Sequence, residues 1–370
     1  MTRIHLLTPS IVPGDAVSED VLGMARWFGK QGYTAYAYAG RCHEQLRHKV
    51  RPLRAYRRYL GVEEDLLIYC HSVGWPAGMA FYERTRNRKI VRYQNVTPPI
   101  YYHPYNQNYV RTCLRGEKET RQLARSEPEL WLAGSDFNAQ GLIAAGADAH
   151  LCRTVPPLHR IGRLDKLPVD QTLAKELGQR HNLLFVGRLT PNKGHIHLIR
   201  TLAYYHHFLG GQAHLVLVGS MDPGLNDYHQ ELSDEVRRHR LQDWVHFRGK
   251  VMDRQLRTYY THASAFVCAS EHEGFCVPLV EAMYYGIPIV AYGSSAVAET
   301  LGDAGLAWET PSPALFAESI RQIHEHPEIC ATLVRSQRRR FAAHFTTAAI
   351  ERRLAEALVP LLPLRSQAVH

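Results

Sequence analysis

The sequence predicts an α/β chain of two domains, each built on a parallel sheet with helices on both faces. Three observations carry this. Short β-rich runs alternate with longer helical patterns along the whole chain. The alternation is interrupted once, by the proline-bearing, mixed-charge stretch 156–172 with Pro156, Pro157 and Pro168, which reads as a linker. The length of 370 residues suits two domains.

In the first half the strand candidates are Ile4–Leu7, Thr34–Tyr38, Leu66–Tyr69, Ile90–Tyr93, Leu130–Ala133 and Leu151–Thr154, with helical patterns such as Glu19–Lys30 and Arg111–Ser126 between them. The second series is Asn182–Val186, His214–Val218, Val245–Phe247, Ala265–Ala269 and Pro288–Ala291. This gives domains at 1–160 and 173–340. An amphipathic tail, 341–370, follows the basic run Arg338–Arg340 and is expected to pack back on the first domain. Ligands of such folds bind outside the carboxyl ends of the strands, here in a cleft between the domains.

Composition narrows the class. Hydrophobic residues make up 45% and charged residues 21%, enough for two packed cores and against a disordered or collagen-like chain. The longest apolar runs, such as His214–Gly219, fall far short of the roughly 20 residues a spanning helix needs. Met1–Leu7 lacks the apolar core and cleavage site of a secretory signal. The 7 cysteines are scattered from Cys42 to Cys330 with no C-x-x-C pair, which fits a reducing compartment and a cytoplasmic protein.

The charge is lopsided. Lys plus Arg is 44 and Asp plus Glu 35, giving +9. Residues 1–165 hold 23 basic and 15 acidic side chains (+8), and residues 166–370 hold 21 and 20 (+1). The densest patch is Arg51, Arg54, Arg57 and Arg58, interleaved with Tyr56, Tyr59 and Leu60. Drawn as a helix, positions 51, 54 and 58 share a face that suits an anionic membrane surface or an acidic ligand; the plainer reading is a solvated face. Nucleic acid is not indicated, because no helix-turn-helix, zinc-finger or RNA-binding-sheet signature occurs.

The most informative segment runs from Ser270 to Met283. A buried strand ends near Ala269, and a helix begins with Pro278 in its first turn and ends at Gly286 and Pro288. The loop Gly274–Val277, with Phe275 and Cys276, would aim backbone N–H groups and the helix dipole at an anion, which suits a diphosphate. Glu273 in the loop and Glu281, placed in the first helical turn, are too far apart for an acid/base dyad. They make sense as acceptors from sugar and ribose hydroxyls, or, structurally, as a solvated loop residue and a helix-start residue.

A second constellation follows the strand ending at Val186: Gly187-Arg188-Leu189-Thr190-Pro191-Asn192-Lys193-Gly194. Two cations at a strand end, with glycines that permit close backbone approach, suit diphosphate oxygens. Neither a Walker sequence nor a G-x-G-x-x-G occurs. The pairs His195/His197, His206/His207 and His324/His326 have no partner set at ligand spacing, so surface histidines are expected there and no metal site.

Together, Gly187-Arg188 with Lys193-Gly194, Gly219, Phe247-x-Gly249-x-Val251, Ser270 to Phe275, Pro278, Glu281-Ala282-Met283, Gly286-x-Pro288 and Glu299 resemble the retaining glycosyltransferases of family 4 (group 1). The similarity is close over 182–305. The first half, through Gly14 to Ser18, Leu67 to Tyr69, Arg92 to Pro98 and Ser135 to Asn138, is more loosely similar to bacterial surface-polysaccharide mannosyltransferases.

The resemblance implies a GT-B fold, with two Rossmann-like domains facing across a cleft, and retaining transfer of mannose or a related hexose. The donor would be a nucleotide-diphosphate sugar, GDP-mannose as first guess, and the acceptor a saccharide or lipid-linked saccharide hydroxyl. No cofactor and no essential metal are implied, and the sequence has no D-x-D. Position by position, Arg188 and Lys193 would neutralise the leaving diphosphate and Glu273 would hold donor-sugar hydroxyls. Gly187, Gly274 and Val277 would line the donor site, where Phe275 and Cys276 offer N–H groups. Glu281 would bind ribose, and the main chain at Lys250, Val251 and Met252 the base. Gly14 and Asp15 would line the acceptor side.

Two positions depart from the family. Cys276 stands where glycine is usual, and Gln94 where the subgroup commonly has histidine before Asn95. His71, after the strand ending at Tyr69, is either its substitute or a structural histidine. The rival readings are a GT-B epimerase or hydrolase that consumes donor without acceptor, and a catalytically silent nucleotide-sugar-binding protein.

Overall fold

The computed structural model describes residues 2–363. Its chain forms two compact units. Among the described residues, the first holds 2–99, 108–159 and 346–363, and the second 100–107 and 160–345. Positions 364–370 of the expected tail lie outside the described residues.

The first unit contains strands β1 (Arg3–Ile11), β2 (Thr34–Cys42), β3 (Val50–Pro52), β4 (Leu66–His71), β5 (Arg88–Tyr93), β6 (Leu130–Ala133) and β7 (Cys152–Thr154). They form one sheet in the order β3-β2-β1-β4-β5-β6-β7, parallel throughout. The β4 sequence shows why both faces are covered: its side chains alternate between two apolar layers. Leu66, Ile68 and Cys70 enter one layer with Trp27 and Phe28, and Leu67 and Tyr69 enter the other with Trp131. Ile350, Leu354 and Leu358 of the helix Thr347–Leu358 complete the first layer.

The second unit contains β8 (Asn182–Val186), β9 (His214–Val218), β10 (Val245–Gly249), β11 (Ala265–Cys268), β12 (Ile289–Tyr292) and β13 (Leu306–Trp308). Their order is β10-β9-β8-β11-β12-β13, again all parallel. The stretch 156–172 is not a bare linker: Ile161–Leu164 is a helical turn whose Ile161 and Leu164 are buried in this unit's core. Their apolar spacing outweighs the flanking prolines.

The basic patch also differs from the drawn helix. Arg51 lies in β3 and places its guanidinium 3.5 Å over the Tyr36 ring. Residues Leu53–Tyr59 form a 3-10 helix, so Arg51, Arg54 and Arg58 do not share an α-helical face. A longer basic face occurs on the helix Gln107–Ala124. It buries Val110, Cys113, Gly116, Thr120 and Leu123 and exposes Arg111, Arg115, Lys118 and Arg121. Among the described residues, no helix is long and apolar enough to cross a membrane.

Candidate active site

In the second unit β8 and β11 are neighbours, but the strands that follow them, β9 and β12, lie to opposite sides. Loops leaving such a pair diverge and open a crevice at the sheet's carboxyl edge. The loops here are 187–194 and 269–276, the two that carry the sequence motifs.

Close backbone approach shapes the first loop. A Cβ on Gly219 would stand 1.7 Å from the Gly187 carbonyl oxygen, so β9 can leave the sheet here only through glycine. Pro191–Lys193 forms a 3-10 turn closed by Gly194 at φ 64°. A Cβ on Gly194 would meet the Ala269 carbonyl oxygen at 2.1 Å, which shows how closely the turn lies against the end of β11.

The second loop is tied down along its length. The Glu271 and His272 N–H groups donate to the Asn192 carbonyl (2.9 and 3.3 Å), and the Glu273 N–H donates to Ser295 Oγ (2.8 Å). The Phe275 carbonyl accepts from Thr300 Oγ1 (2.6 Å), and the Phe275 ring stands edge-on to Phe345. Cys276 then starts the helix Val277–Tyr285 at φ 73° and ψ 68°, a left-handed conformation natural to glycine. Gly274 precedes it, Pro278 lies in the first turn, and Gly286 at φ 67° closes the helix.

These ties bring Lys193 Nζ to 2.6 Å from Glu273 Oε1, with the side chains only 16% and 13% exposed. Burial alone would lower the Lys193 pKa, but the Glu273 carboxylate outweighs it and raises the pKa, keeping the ammonium charged. Arg188 is exposed on the same loop, near enough for its charge to act on Lys193. The Cys276 thiol is buried, and its hydrogen bond to Cys268 followed by burial pushes its pKa well up, so it is no thiolate nucleophile. An anion brought to the N-terminus of this helix would meet backbone N–H groups, one ammonium and a guanidinium.

Glu281 departs from its expected place. The helix starts at Val277, so Glu281 falls in the second turn, where it is 4% exposed. Oε2 accepts from the Tyr260 hydroxyl (2.5 Å), and Arg160 Nε lies 3.9 Å from Oε1. At the end of β10, Gly249 (φ 62°) accepts from the Gly219 N–H at 2.9 Å. Lys250 is exposed and Val251 half-buried, while the exposed Met252 donates its N–H to Gln255 Oε1 (3.1 Å) at the start of the next helix.

In the first unit the corresponding strands are β1 and β4. Gly14 (φ 78°) turns the chain after β1. Asp15 caps the helix Ala16–Lys30, its Oδ2 accepting from Ser18 N (3.0 Å) and Ser18 Oγ (2.8 Å). Gln94 donates from Nε2 to Asp20 Oδ2 (2.8 Å). The same carboxylate receives Arg92 Nε (2.8 Å) and the Leu158 N–H (2.9 Å). This fully buried Arg92–Asp20 pair has no counterpart in the sequence reading.

His71 is a correction. It does not follow the strand but ends it, and is fully buried. Nε2 faces Thr120 Oγ1 (2.8 Å) and the Gly116 carbonyl (3.2 Å). Burial drops its pKa to about 4. It is a neutral interior group, which favours the structural of its two readings.

His195 corrects the expectation of surface histidines. It is fully buried, with Nδ1 3.0 Å from the Tyr228 hydroxyl and a pKa lowered by burial to about 3. Its place is set by the apolar face of the helix His195–Phe208, which packs on the sheet. Among the described residues no group of three His, Cys, Asp or Glu side chains is placed to hold a metal ion. Asn192, Ser295 and Tyr260 also shape the site. Asn192 lay inside a motif already noted, whereas nothing in the sequence marked Ser295 or Tyr260.

Residues 174–340 match the family model of glycosyl transferases group 1. The matched stretch lies within the second unit, and the two parallel-sheet units make the fold GT-B. Anabaena HepE, crystallised with UDP and glucose, superposes with a TM-score of 0.79 at 20% identity, covering 98% of this chain and 100% of that one. WaaG, a glycosyltransferase involved in lipopolysaccharide biosynthesis, superposes at 0.71 with 13% identity, covering 97% of this chain and 100% of that one.

Two curated relatives are similar in sequence. One is the O-antigen chain mannosyltransferase B of Escherichia coli, 32% identical over 38% of this chain. The other is the GDP-mannose:cellobiosyl-diphosphopolyprenol alpha-mannosyltransferase of Xanthomonas oryzae pv. oryzae, 38% identical over 30% of this chain. The matched stretches span only 35% and 28% of those relatives' own lengths.

Proposed function

We propose that the chain is a retaining glycosyltransferase that moves mannose or a related hexose from a nucleotide-diphosphate donor, GDP-mannose first among candidates, to a saccharide or lipid-linked saccharide in bacterial polysaccharide assembly. The observation that carries this reading is the Lys193–Glu273 pair, held by the loops that leave β8 and β11 beside a helix N-terminus. The mannosyl character rests on the names of the two sequence relatives.

In this reading the donor diphosphate lies against Lys193, Arg188 and the N–H groups that open the helix at Cys276. As the anomeric C–O bond breaks, negative charge grows on the leaving phosphate, and these fixed groups stabilise it without reorganising. The charge is met by side chains and backbone, so no metal is required. Glu273 accepts from hydroxyls of the donor sugar, and Glu281 accepts from a ribose hydroxyl. The acceptor hydroxyl attacks the face that the leaving group vacates and gives its proton to a phosphate oxygen. Gly14, Asp15 and Gln94 belong to the acceptor side.

The working place we propose is the inner face of the cytoplasmic membrane. Arg111, Arg115, Lys118 and Arg121 would meet anionic headgroups near a lipid-linked acceptor.

The test incubates the full chain with each common sugar nucleotide and a panel of saccharide and lipid-linked acceptors, with EDTA present. Product formation with the donor's anomeric configuration kept supports the proposal. Donor consumption to free or epimerised sugar nucleotide favours the epimerase or hydrolase reading, and binding without turnover favours the silent binder.

A further inference from the structure

We infer that Asn192 is a positioning residue that clasps the Glu271–Glu273 segment to the Lys193 turn and so sets the geometry of the Lys193–Glu273 pair. The inference rests on the proposed transfer chemistry and extends it to a side chain that would touch neither donor nor acceptor.

Asn192 is 4% exposed and uses its backbone and both ends of its amide. Its carbonyl accepts the Glu271 and His272 N–H groups at 2.9 and 3.3 Å. Its Nδ2 donates to the His272 carbonyl at 3.0 Å, and its Oδ1 accepts from Thr190 Oγ1 at 2.8 Å. The residue thus holds His272 by both its N–H and its carbonyl while being held by its own turn.

Only a short amide side chain does this. Aspartate keeps an acceptor for Thr190 but has no N–H for the His272 carbonyl, and alanine has neither. Because Asn192 directly precedes Lys193, and the residue it grips, His272, directly precedes Glu273, any rotation of the clasp moves both partners of the pair. Besides Ser295 and Thr300, the loop has a further tether in the same unit, where the Tyr101 hydroxyl donates to the Glu271 carbonyl at 3.2 Å. Tyr101 restrains the loop without linking it to the Lys193 turn.

Hydrogen–deuterium exchange on the full chain tests the clasp without depending on activity. In Asn192→Ala and the milder Asn192→Asp, the peptide covering residues 270–276 should exchange at least about fivefold faster, with the sheet peptides unchanged. Kinetics supply the second readout. Asn192→Ala should lower kcat at least about tenfold with donor KM within about threefold, and its effect should shrink to under about threefold in a Glu273→Gln background, since the pair it serves is already gone. A merely structural residue would lower activity by the same factor in both backgrounds. Unchanged exchange, or equal factors in the two backgrounds, overturns the inference. Faster exchange in a protein whose parent turns over no sugar nucleotide upholds the clasp and sinks the transfer reading instead.

Discussion

Lys193 Nζ and Glu273 Oε1 lie 2.6 Å apart, although their loops leave different strands and the residues are separated by 80 positions in sequence. The ammonium and carboxylate that the proposed chemistry assigns to the diphosphate and the sugar neutralise each other here. A donor that enters must therefore exchange one partner for another: phosphate for carboxylate at Lys193, and hydroxyl for ammonium at Glu273. This makes the site sensitive to the charge at either position.

Glu273→Gln removes the competitor for Lys193 but keeps a hydrogen-bonding side chain. Transfer should fall by about tenfold or more, because the amide is a weaker acceptor for sugar hydroxyls, while affinity for the nucleoside diphosphate alone stays level or improves. Steady-state rates beside calorimetric titration of the diphosphate check this. Loss of diphosphate affinity in the variant would mean that Glu273 does not oppose Lys193.

Gly194→Ala combines two costs, a positive φ of 64° and a Cβ 2.1 Å from the Ala269 carbonyl oxygen. Chemical denaturation should show a loss of about 2 kcal/mol or more. A loss within about 0.5 kcal/mol would show that the turn moves away freely.

Cys276 carries a side chain at φ 73°. Cys276→Gly relieves about 1 kcal/mol of backbone cost but gives up a similar amount of buried side chain, so stability should change by less than about 1 kcal/mol. Cys276→Val, β-branched at a left-handed position, should cost about 2 kcal/mol or more. Equal stability of the two variants would remove the backbone argument.

His71 and His195 set an acid limit on folding. Burial depresses their folded pKa values to about 4 and about 3, below the ordinary histidine value. Between roughly pH 6.5 and those values the unfolded chain binds more protons than the folded one, so stability is full above this window and falls as pH drops through it. For His71 the fall is about 3 kcal/mol. His71→Gln should flatten the pH dependence of denaturation midpoints between about pH 4 and 6.5, and an unaltered slope would contradict its neutral burial.

The exposed basic face of the helix Gln107–Ala124 should draw the protein to anionic vesicles. Reversing Arg111, Arg115 and Lys118 to glutamate should abolish co-flotation with phosphatidylglycerol liposomes and leave neutral liposomes unaffected. Equal behaviour of parent and variant on both vesicles removes the membrane assignment.

Much of the fold was legible because parallel strands buried on both faces read as short apolar runs. β6, β8 and β9 occupy the spans read from sequence alone. The strands β3 and β13, three residues each, carry too little periodicity to be seen. Proline and mixed charge hid the buried Ile161 and Leu164, and arginine density suggested a helix where Arg51 stacks on Tyr36.

At the site, the motif residues were visible because glycines and charges crowd at strand ends. What joins them was not. The Lys193–Glu273 contact, the Asn192 clasp and the Ser295 hydroxyl on the Glu273 N–H are long-range pairings that no local spacing encodes. The burial of His71 and His195 depends on tertiary packing, which a lone histidine in a sequence does not reveal.

The most direct test of the central claim is calorimetric titration of GDP, UDP and ADP, without metal, into the parent chain and Lys193→Ala. The account predicts that one nucleoside diphosphate binds the parent and loses at least about tenfold in affinity when the ammonium is removed. Failure of all three to bind the parent, or equal binding to both proteins, would contradict it.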